Sequence, residues 1–171
     1  MKVILLTDDT GMPLCFPDSA VIAEGTPYFY TEGEGDTEVR LWCGAVIERL
    51  GKCIDTRFAR RYYSRMVCGT CNSERGADTG SNLMRDGAVC VGRASAEPGA
   101  VATTDCGAAV TLPSCEVIDA AIARVSRLAT LKTGDIVGVI LGPSMTLRHG
   151  IRRDIYIGGG DGKSLLHAKY R

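Results

Sequence analysis

The 171-residue chain has no surplus of charge of either sign, because 20 Lys and Arg residues balance 20 Asp and Glu residues. Binding to a nucleic-acid backbone needs clustered basic side chains, so a nucleic-acid-binding protein is not indicated. No run of 18 apolar residues occurs, and the apolar start, Met1 to Leu6, is too short for a secretory signal. We expect a cytoplasmic protein with no membrane contact.

The chain also lacks the cysteine density of a small disulfide scaffold, although it contains eight cysteines. Most of them stand among Val, Leu, Ile and Ala, which predicts reduced and buried thiols. The one close pair is Cys68-Gly-Thr-Cys71. A single CxxC is a weak zinc signal, and a predicted loop over residues 72–80 does not fit the strand-to-helix junction of redox motifs.

The hydrophobic pattern predicts short strands and two helices. Strands are expected over residues 39–47 and 136–141, and a closing hairpin over residues 154–157 and 164–170. One helix is expected after Asp55, which can cap its first turn. The other is expected after Pro113-Ser114, where apolar residues recur at helical spacing. The length suits one domain.

Several short motifs occur in a recognisable order. They are Pro17-Asp-Ser-Ala20, Gly25-Thr-Pro-Tyr-Phe29, Arg49-Leu-Gly-Lys52, Arg57-Phe-Ala-Arg-Arg-Tyr-Tyr63, Asp86-Gly-Ala88, Ile118-Asp119, Val125-Ser-Arg127, Leu131-Lys-Thr-Gly-Asp135 and Lys163-Ser-Leu-Leu166. Together they resemble the fumarylacetoacetate hydrolase superfamily, in particular its compact single-domain bacterial members, over residues 12–171. The resemblance implies one domain over residues 1–171 with a β-rich α+β fold. That fold is a mixed β-sandwich roll with two short helices, usually assembled as a homodimer.

The resemblance also implies where a metal site would be. Family members hold Mg or Mn with a Glu-x-Glu strand and an Asp beyond the paired tyrosines, and the ion polarises a dicarbonyl substrate. Counting back from Arg49 without a gap puts the two Glu positions on Arg40 and Trp42, and counting forward from the tyrosines puts the Asp position on Cys71. A two-residue slip puts them on Glu38 and Arg40 instead. Neither alignment supplies more than one hard ligand, so no cofactor is predicted unless the Mg or Mn site is rescued.

Other positions that the family uses for chemistry also carry different side chains. Its two lysines fall on Leu83 and Phe16, and its substrate-contacting Gly-Thr-Pro is reduced to Leu141-Gly142-Pro143. Its N-terminal lid, which carries a His-Glu pair, is shortened here. The titratable groups left in that region are Asp8, Asp9 and Asp18.

Two interpretations follow for the former metal cleft. In the first, the chain is catalytically silent and serves binding or assembly, with Arg40 forming a pocket for a carboxylate or phosphate metabolite. The competing interpretation of Arg40 is a strand residue paired with Glu38 or Glu48. In the second, a rearranged site of Glu38, Asp36 and Asp86 retains metal-dependent hydrolysis or decarboxylation of β-dicarbonyl acids.

A third interpretation is new thiol chemistry at Cys68 and Cys71. The thiolate is the reactive form of cysteine, so this function requires a lowered pKa at Cys71. The pKa of that thiol and its access to solvent therefore decide whether the third interpretation holds.

Overall fold

The computed structural model describes residues 1–7, 12–30 and 35–171. The helices of this part are α1 (Thr56–Ala59), α2 (Thr79–Met84) and α3 (Cys115–Leu128). Its strands are β1 (Val3–Leu6), β2 (Leu14–Phe16), β3 (Val21–Ala23), β4 (Pro27–Tyr28), β5 (Thr37–Val46), β6 (Met66–Glu74), β7 (Val89–Val91), β8 (Val101–Thr104), β9 (Ala109–Thr111), β10 (Ile136–Leu147), β11 (Arg153–Gly158) and β12 (Ser164–Tyr170). Short 3-10 turns cover Asp18–Ala20 and Arg60–Tyr62.

The strands form two sheets. The larger has seven strands in the order β2-β1-β10-β5-β6-β7-β3, and the smaller has five in the order β4-β12-β11-β8-β9. β5 lies at the centre of the larger sheet and pairs antiparallel with both β10 and β6. β1 with β10 and β3 with β7 are parallel pairs, so the larger sheet is mixed. The predicted β-rich α+β architecture is confirmed.

Residue alternation along β5 separates two hydrophobic clusters. Val39, Leu41 and Cys43 belong to a large cluster that also holds side chains of the smaller sheet and of α3. Trp42 belongs to a second cluster on the opposite face of the larger sheet, with residues such as Phe16. Because successive strand residues point to opposite faces, Glu38 and Arg40 share the face of Trp42.

Two helices lie where the sequence predicts them. The Asp55 side chain accepts a hydrogen bond from the Arg57 backbone N–H and so caps α1. α3 begins after Ser114, and Ile118, Ile122 and Val125 bury its apolar face. The third helix, α2, is not among the two that the sequence predicts.

The loop predicted over residues 72–80 is wrong in part. β6 continues to Glu74, and α2 begins at Thr79. Asp78 caps α2 by accepting a hydrogen bond from the Ser81 backbone N–H. The segment is therefore a strand end, a turn and a helix, which together form one wall of the cleft described below.

Several of the motifs that carry the family resemblance contact one another. The Tyr63 hydroxyl donates to the Asp119 carboxylate at 2.9 Å, which joins the paired-tyrosine motif to α3. The Ile54 backbone N–H donates to the Ser126 hydroxyl at 2.8 Å. Gly51 and Leu131 exchange backbone hydrogen bonds. These motifs therefore hold the fold together.

A buried ion pair fastens the start of the chain to this framework. The Asp135 carboxylate is almost fully buried and binds both the Lys2 ammonium group and the Lys2 backbone N–H. It also accepts a hydrogen bond from the Lys132 backbone N–H at 2.8 Å. β1 therefore enters the larger sheet with its first residues anchored. In the described ranges, no helix is both long and apolar enough to cross a membrane.

Candidate functional site

A cleft of about 300 Å³ opens on the Trp42 face of the larger sheet, between that sheet and α2. It brings together five positions that the sequence analysis singles out. These are Phe16, Glu38, Arg40, Cys71 and Leu83. They come from β2, β5, β6 and α2, so the fold assembles them from distant parts of the chain. This cleft is the candidate functional site.

Strand pairing sets the arrangement of the cleft's polar side chains. Arg40 lies directly opposite Cys71 across β5 and β6, and Glu38 lies opposite Ser73. Both β5 residues are half-buried. Glu38 and Arg40, which the slipped alignment puts at the two Glu positions, both line the cleft.

Trp42 is fully buried in the core and is not a lining residue of the cleft. Its indole ring lies over Gly69, where an added Cβ would come within 2.3 Å of Trp42 Cζ2. A side chain larger than hydrogen at Gly69 would displace the ring. The Trp42 indole N–H has no hydrogen-bond partner among the described residues.

Gly142 and Pro143 also lie away from the cleft. They are exposed, at the point where the register between β10 and β5 shifts. Gly142 has a φ of +60°, a left-handed conformation that glycine adopts without steric cost. The two positions form a bulge on β10. The Leu141-Gly142-Pro143 motif therefore corresponds to an irregularity of the backbone and not to part of the cleft.

Burial determines the chemistry of Cys71. Removal from water raises the pKa of the Cys71 thiol to about 12, although the positive charge of Arg40 opposes the shift. The thiol is therefore protonated at neutral pH. The lowered pKa that thiol chemistry needs is absent here.

Cys68 and Cys71 do not form a functional pair. Both lie in strand β6 and not in a loop, and they belong to the clusters on opposite faces of the sheet. Cys68 instead faces Cys43 across β5 and β6, and both are fully buried. The eight cysteines are all free, and Cys15, Cys53 and Cys106 are exposed, so the prediction of buried thiols holds for only part of the set.

Arg40 does not form the ion pairs that its competing interpretation requires. No salt bridge joins it to Glu38 or Glu48, and all three residues lie in the described ranges. The Glu48 carboxylate accepts a hydrogen bond from the Ser64 hydroxyl. Arg40 therefore presents its charge to the cleft.

The acids of the rearranged metal site are not brought together. Asp36 accepts a hydrogen bond from the His149 backbone N–H at 3.3 Å and does not line the cleft. Asp86 is exposed in a turn beside Tyr28, in a different hollow from Glu38. Asp18 is exposed and lies 3.6 Å from the N-terminal amino group. Asp8 and Asp9 lie outside the described residues.

The side chains of the cleft do not fit Mg or Mn. Among its described lining residues, Glu38 carries the one carboxylate that no cation engages, because Arg85 binds the other, Glu74. The Arg85 hydrogen bond also holds the pKa of the Glu74 carboxyl below its usual range. Arg40 adds a positive charge that repels a cation, and a protonated Cys71 is a poor ligand for a hard ion. No group of three His, Cys, Asp or Glu side chains suited to a metal occurs in the described ranges.

Some cleft residues were not anticipated from the sequence. Leu14, Asn82 and Ile140 complete the wall, and Ser73 lies beside Glu38. Ser73 follows from alternation, because it is two residues from Cys71 on the same strand. The others come from separate elements and carry no local signal.

A larger hollow of about 630 Å³ lies between α3 and the edges of β1 and β10. Its lining includes Val117, Ala121 and Val139, with Glu116 and Arg124 among its charged residues. None of the positions predicted for the family site faces it. The smaller cleft is therefore the better candidate, since it gathers the chemically distinctive residues.

Comparison with solved structures shows which fold this is. The chain superposes on a protein from Yersinia pestis CO92, described as belonging to the fumarylacetoacetate hydrolase family, with a TM-score of 0.75 over 99% of this chain and 92% of that one, at 15% identity. The chain has the fold of the fumarylacetoacetate hydrolase family. No family model matches the sequence, and no curated protein matches it.

Enzymes share this fumarylacetoacetate hydrolase fold. The 2-hydroxyhepta-2,4-diene-1,7-dioate isomerase of Mycobacterium marinum matches with a TM-score of 0.78 at 16% identity, over 99% of this chain and 73% of that chain. A fumarylpyruvate hydrolase from Pseudomonas aeruginosa, in complex with Mn²⁺ and pyruvate, matches with a TM-score of 0.75 at 14% identity, over 99% of this chain and 89% of that chain. At these identities the likeness concerns the fold.

Proposed function

We propose that this chain is a catalytically silent relative of the fumarylacetoacetate hydrolases, whose cleft binds a small organic carboxylate through Arg40. The observation that carries the proposal is the position of Arg40. It lies half-buried in the cleft, opposite a neutral thiol, with no salt bridge to a described residue. A family enzyme needs carboxylates where this chain has a guanidinium group.

The charge of Arg40 favours an anionic ligand. A partly buried cation without a partner is costly, and a carboxylate repays that cost with two parallel hydrogen bonds to the guanidinium fork. The fumarylpyruvate hydrolase structure contains pyruvate together with Mn²⁺. In this chain Arg40 takes the place of the cation that accompanies such a carboxylate.

The proposal is tested by thermal unfolding of metal-stripped protein with pyruvate and, separately, with phosphate. Pyruvate at about a hundred times its dissociation constant is expected to raise the midpoint by about 5 °C or more. The shift disappears in Arg40→Ala and persists in the matched control Arg152→Ala, whose side chain is exposed outside the cleft. An unchanged midpoint with both anions overturns the proposal.

A second candidate function is the metal-dependent hydrolysis or decarboxylation of β-dicarbonyl acids. It is favoured by the named activities of the neighbouring structures and by the presence of Glu38 in the cleft. This function predicts turnover of acylpyruvates or oxaloacetate that is lost with EDTA and in Glu38→Ala. Turnover that survives both changes contradicts it in this form.

Assembly as a homodimer and a cytoplasmic location remain predictions from the resemblance and the sequence. Light scattering coupled to size-exclusion chromatography distinguishes the 18.2 kDa monomer from its dimer. If the chain is catalytically silent and acts through assembly, we expect the mass of the dimer. A mass equal to one chain at micromolar concentration contradicts it.

A further inference from the structure

Besides Arg40, the cleft contains the charge of Glu38, which a bound carboxylate does not neutralise. Glu38 lies two residues before Arg40 on the same face of β5, and both side chains are half-buried. Neither forms a salt bridge with the other or with another described residue. One positive and one negative side chain therefore line the same cleft, and neither is engaged in a salt bridge.

The residues facing these charges do not neutralise them. Cys71, opposite Arg40, is protonated, and Ser73, opposite Glu38, has no charge. The Glu74 carboxylate at the same end of the cleft is bound by Arg85. Arg75 is exposed at the rim of the cleft.

Part of the remaining wall is apolar, beside polar residues such as Asn82. The apolar side chains are Leu14 and Phe16 of β2, Leu83 of α2 and Ile140 of β10. The cleft volume of about 300 Å³ is at the lower end of the range for small-molecule binding pockets. The space suits a compact ligand with a short aliphatic group.

We propose that the ligand is an aliphatic α-amino acid, bound as a zwitterion. Its carboxylate binds Arg40, its ammonium group binds Glu38, and its side chain packs on Leu14, Phe16 and Leu83. This inference rests on the proposed carboxylate-binding function and specifies its ligand class. A dicarboxylate places a second negative charge near Glu38, and a simple monocarboxylate leaves Glu38 unpaired, so both are disfavoured.

Isothermal titration calorimetry with three compounds that share an isobutyl group tests the inference. L-leucine has both charges, 4-methyl-2-oxopentanoate lacks the ammonium group, and 3-methylbutylamine lacks the carboxylate. Leucine is expected to bind at least about tenfold more tightly than the keto acid, because the keto acid has no ammonium group to form a charge-assisted hydrogen bond with Glu38. The amine alone is expected to bind more weakly still.

Variants assign each charge to its residue. Glu38→Gln is expected to bring the leucine and keto acid affinities to within about threefold of each other. Arg40→Gln is expected to weaken the binding of both compounds at least about tenfold. Arg152→Gln serves as the matched control and leaves all affinities unchanged. Thermal midpoints without ligand check that each variant is folded.

The outcomes separate this inference from the proposed function. If the keto acid binds wild-type protein as tightly as leucine, or Glu38→Gln preserves their ratio, the amino-acid inference fails and carboxylate binding stands. If no carboxylate binds, both fail. The comparison of ligands on wild-type protein decides the matter even where a variant does not fold.

Discussion

Arg40 and Cys71 lie opposite each other on two neighbouring strands, and the two side chains differ in charge. The guanidinium group keeps its charge in proteins under all ordinary conditions, whereas burial raises the pKa of the Cys71 thiol to about 12. The cleft thus offers a permanent cation beside a neutral thiol. This pair of residues favours the proposed binding of an anion over nucleophilic attack by sulfur.

The accessibility of the thiols gives a prediction for chemical labelling. Cys106 is expected to react first with iodoacetamide, because it is exposed and the Thr104 side-chain hydrogen bond lowers the pKa of its thiol. Cys15 follows more slowly, because burial raises its pKa. Time-resolved labelling with peptide mass spectrometry gives the order. Cys106→Ser removes the fastest phase, and early labelling of Cys68 or Cys71 in folded protein would restore the thiol interpretation.

A second residue-level prediction concerns pH. Hydrogen bonds from Arg171 and His167 hold the pKa of the Asp154 carboxyl at about 2, below its ordinary value of 3.8. A carboxyl whose pKa is depressed on folding stabilises the protein above its unfolded-state pKa and loses that contribution as the pH falls through its folded-state pKa. The loss is therefore expected between about pH 4 and pH 2.

Denaturant unfolding of wild type and Asp154→Asn at several pH values tests this directly. The wild-type advantage in unfolding free energy is expected at pH 7 and shrinks as the pH approaches 2. Asp86→Asn, which removes an exposed carboxylate in a turn, is the matched control. A wild-type advantage that is equal at pH 7 and pH 2.5 is incompatible with the proposed role of Asp154.

At the scale of elements, β6 is a strand that the sequence analysis does not predict. Its buried polar residues Thr70 and Asn72 resemble loop residues in composition. In the structure both form hydrogen bonds with the Tyr170 hydroxyl, which donates to the Asn72 side-chain oxygen at 2.7 Å and lies 3.1 Å from the Thr70 hydroxyl. The partner is about a hundred residues away on β12, so no local pattern shows that these side chains are satisfied inside a sheet.

Close packing of β6 predicts the effect of one substitution. In Gly69→Ala the new methyl group would lie 2.3 Å from both the Cys90 carbonyl oxygen and Trp42 Cζ2. The free energy of unfolding is expected to fall by about 1–3 kcal/mol, as overpacking in cores does. Chemical denaturation measures it.

Gly160→Ala is the control for this substitution. Its added Cβ would make only an ordinary contact, 3.6 Å from the Val101 carbonyl oxygen. A change within about 0.5 kcal/mol is expected. Equal effects of the two substitutions would mean that Trp42 does not cover Gly69 as described.

Other elements follow from local chemistry. The Asp55 cap, the amphipathic α3 and the closing hairpin are visible in the sequence because each depends on residues a few positions apart. The cleft depends on strand pairing and on α2 packing near β2, which are long-range features. The sequence therefore supplies Glu38, Arg40, Cys71 and Leu83 as candidates, and only the fold shows that Trp42, Gly142 and Pro143 stand apart from them.

At the scale of the whole molecule, the framework and the cleft are separate. The resemblance motifs between residues 49 and 63 and between residues 118 and 135 meet around α3 and the ends of β5 and β10, whereas the cleft lies on the other face of the larger sheet. Substitutions in the cleft can therefore change binding without removing the contacts that define the fold. The proposed loss of catalysis in the cleft is therefore compatible with retention of the fold.

The buried Lys2 and Asp135 pair is expected to contribute strongly to the stability of the whole fold. Asp135→Ala leaves the Lys2 and Lys132 backbone N–H groups without their acceptor. It also removes the counter-ion of the Lys2 ammonium group, which keeps its hydrogen bond to the Thr130 carbonyl oxygen. A loss of about 3 kcal/mol or more in unfolding free energy is expected. Asp105→Ala, which breaks the more exposed ion pair with Arg153, is expected to cost about 1 kcal/mol or less. Similar losses in both variants would contradict the role of Asp135.

The central claim is that Arg40 binds a carboxylate where a family enzyme binds a metal. The most direct measurement is calorimetric titration of metal-stripped protein with MnCl₂, with pyruvate, and with pyruvate after MnCl₂. Pyruvate is expected to bind without metal, Mn²⁺ alone to give no binding heat, and Arg40→Ala to abolish pyruvate binding. Binding of Mn²⁺ to the wild type, with pyruvate binding only afterwards, would contradict the account and favour the metal-dependent enzyme.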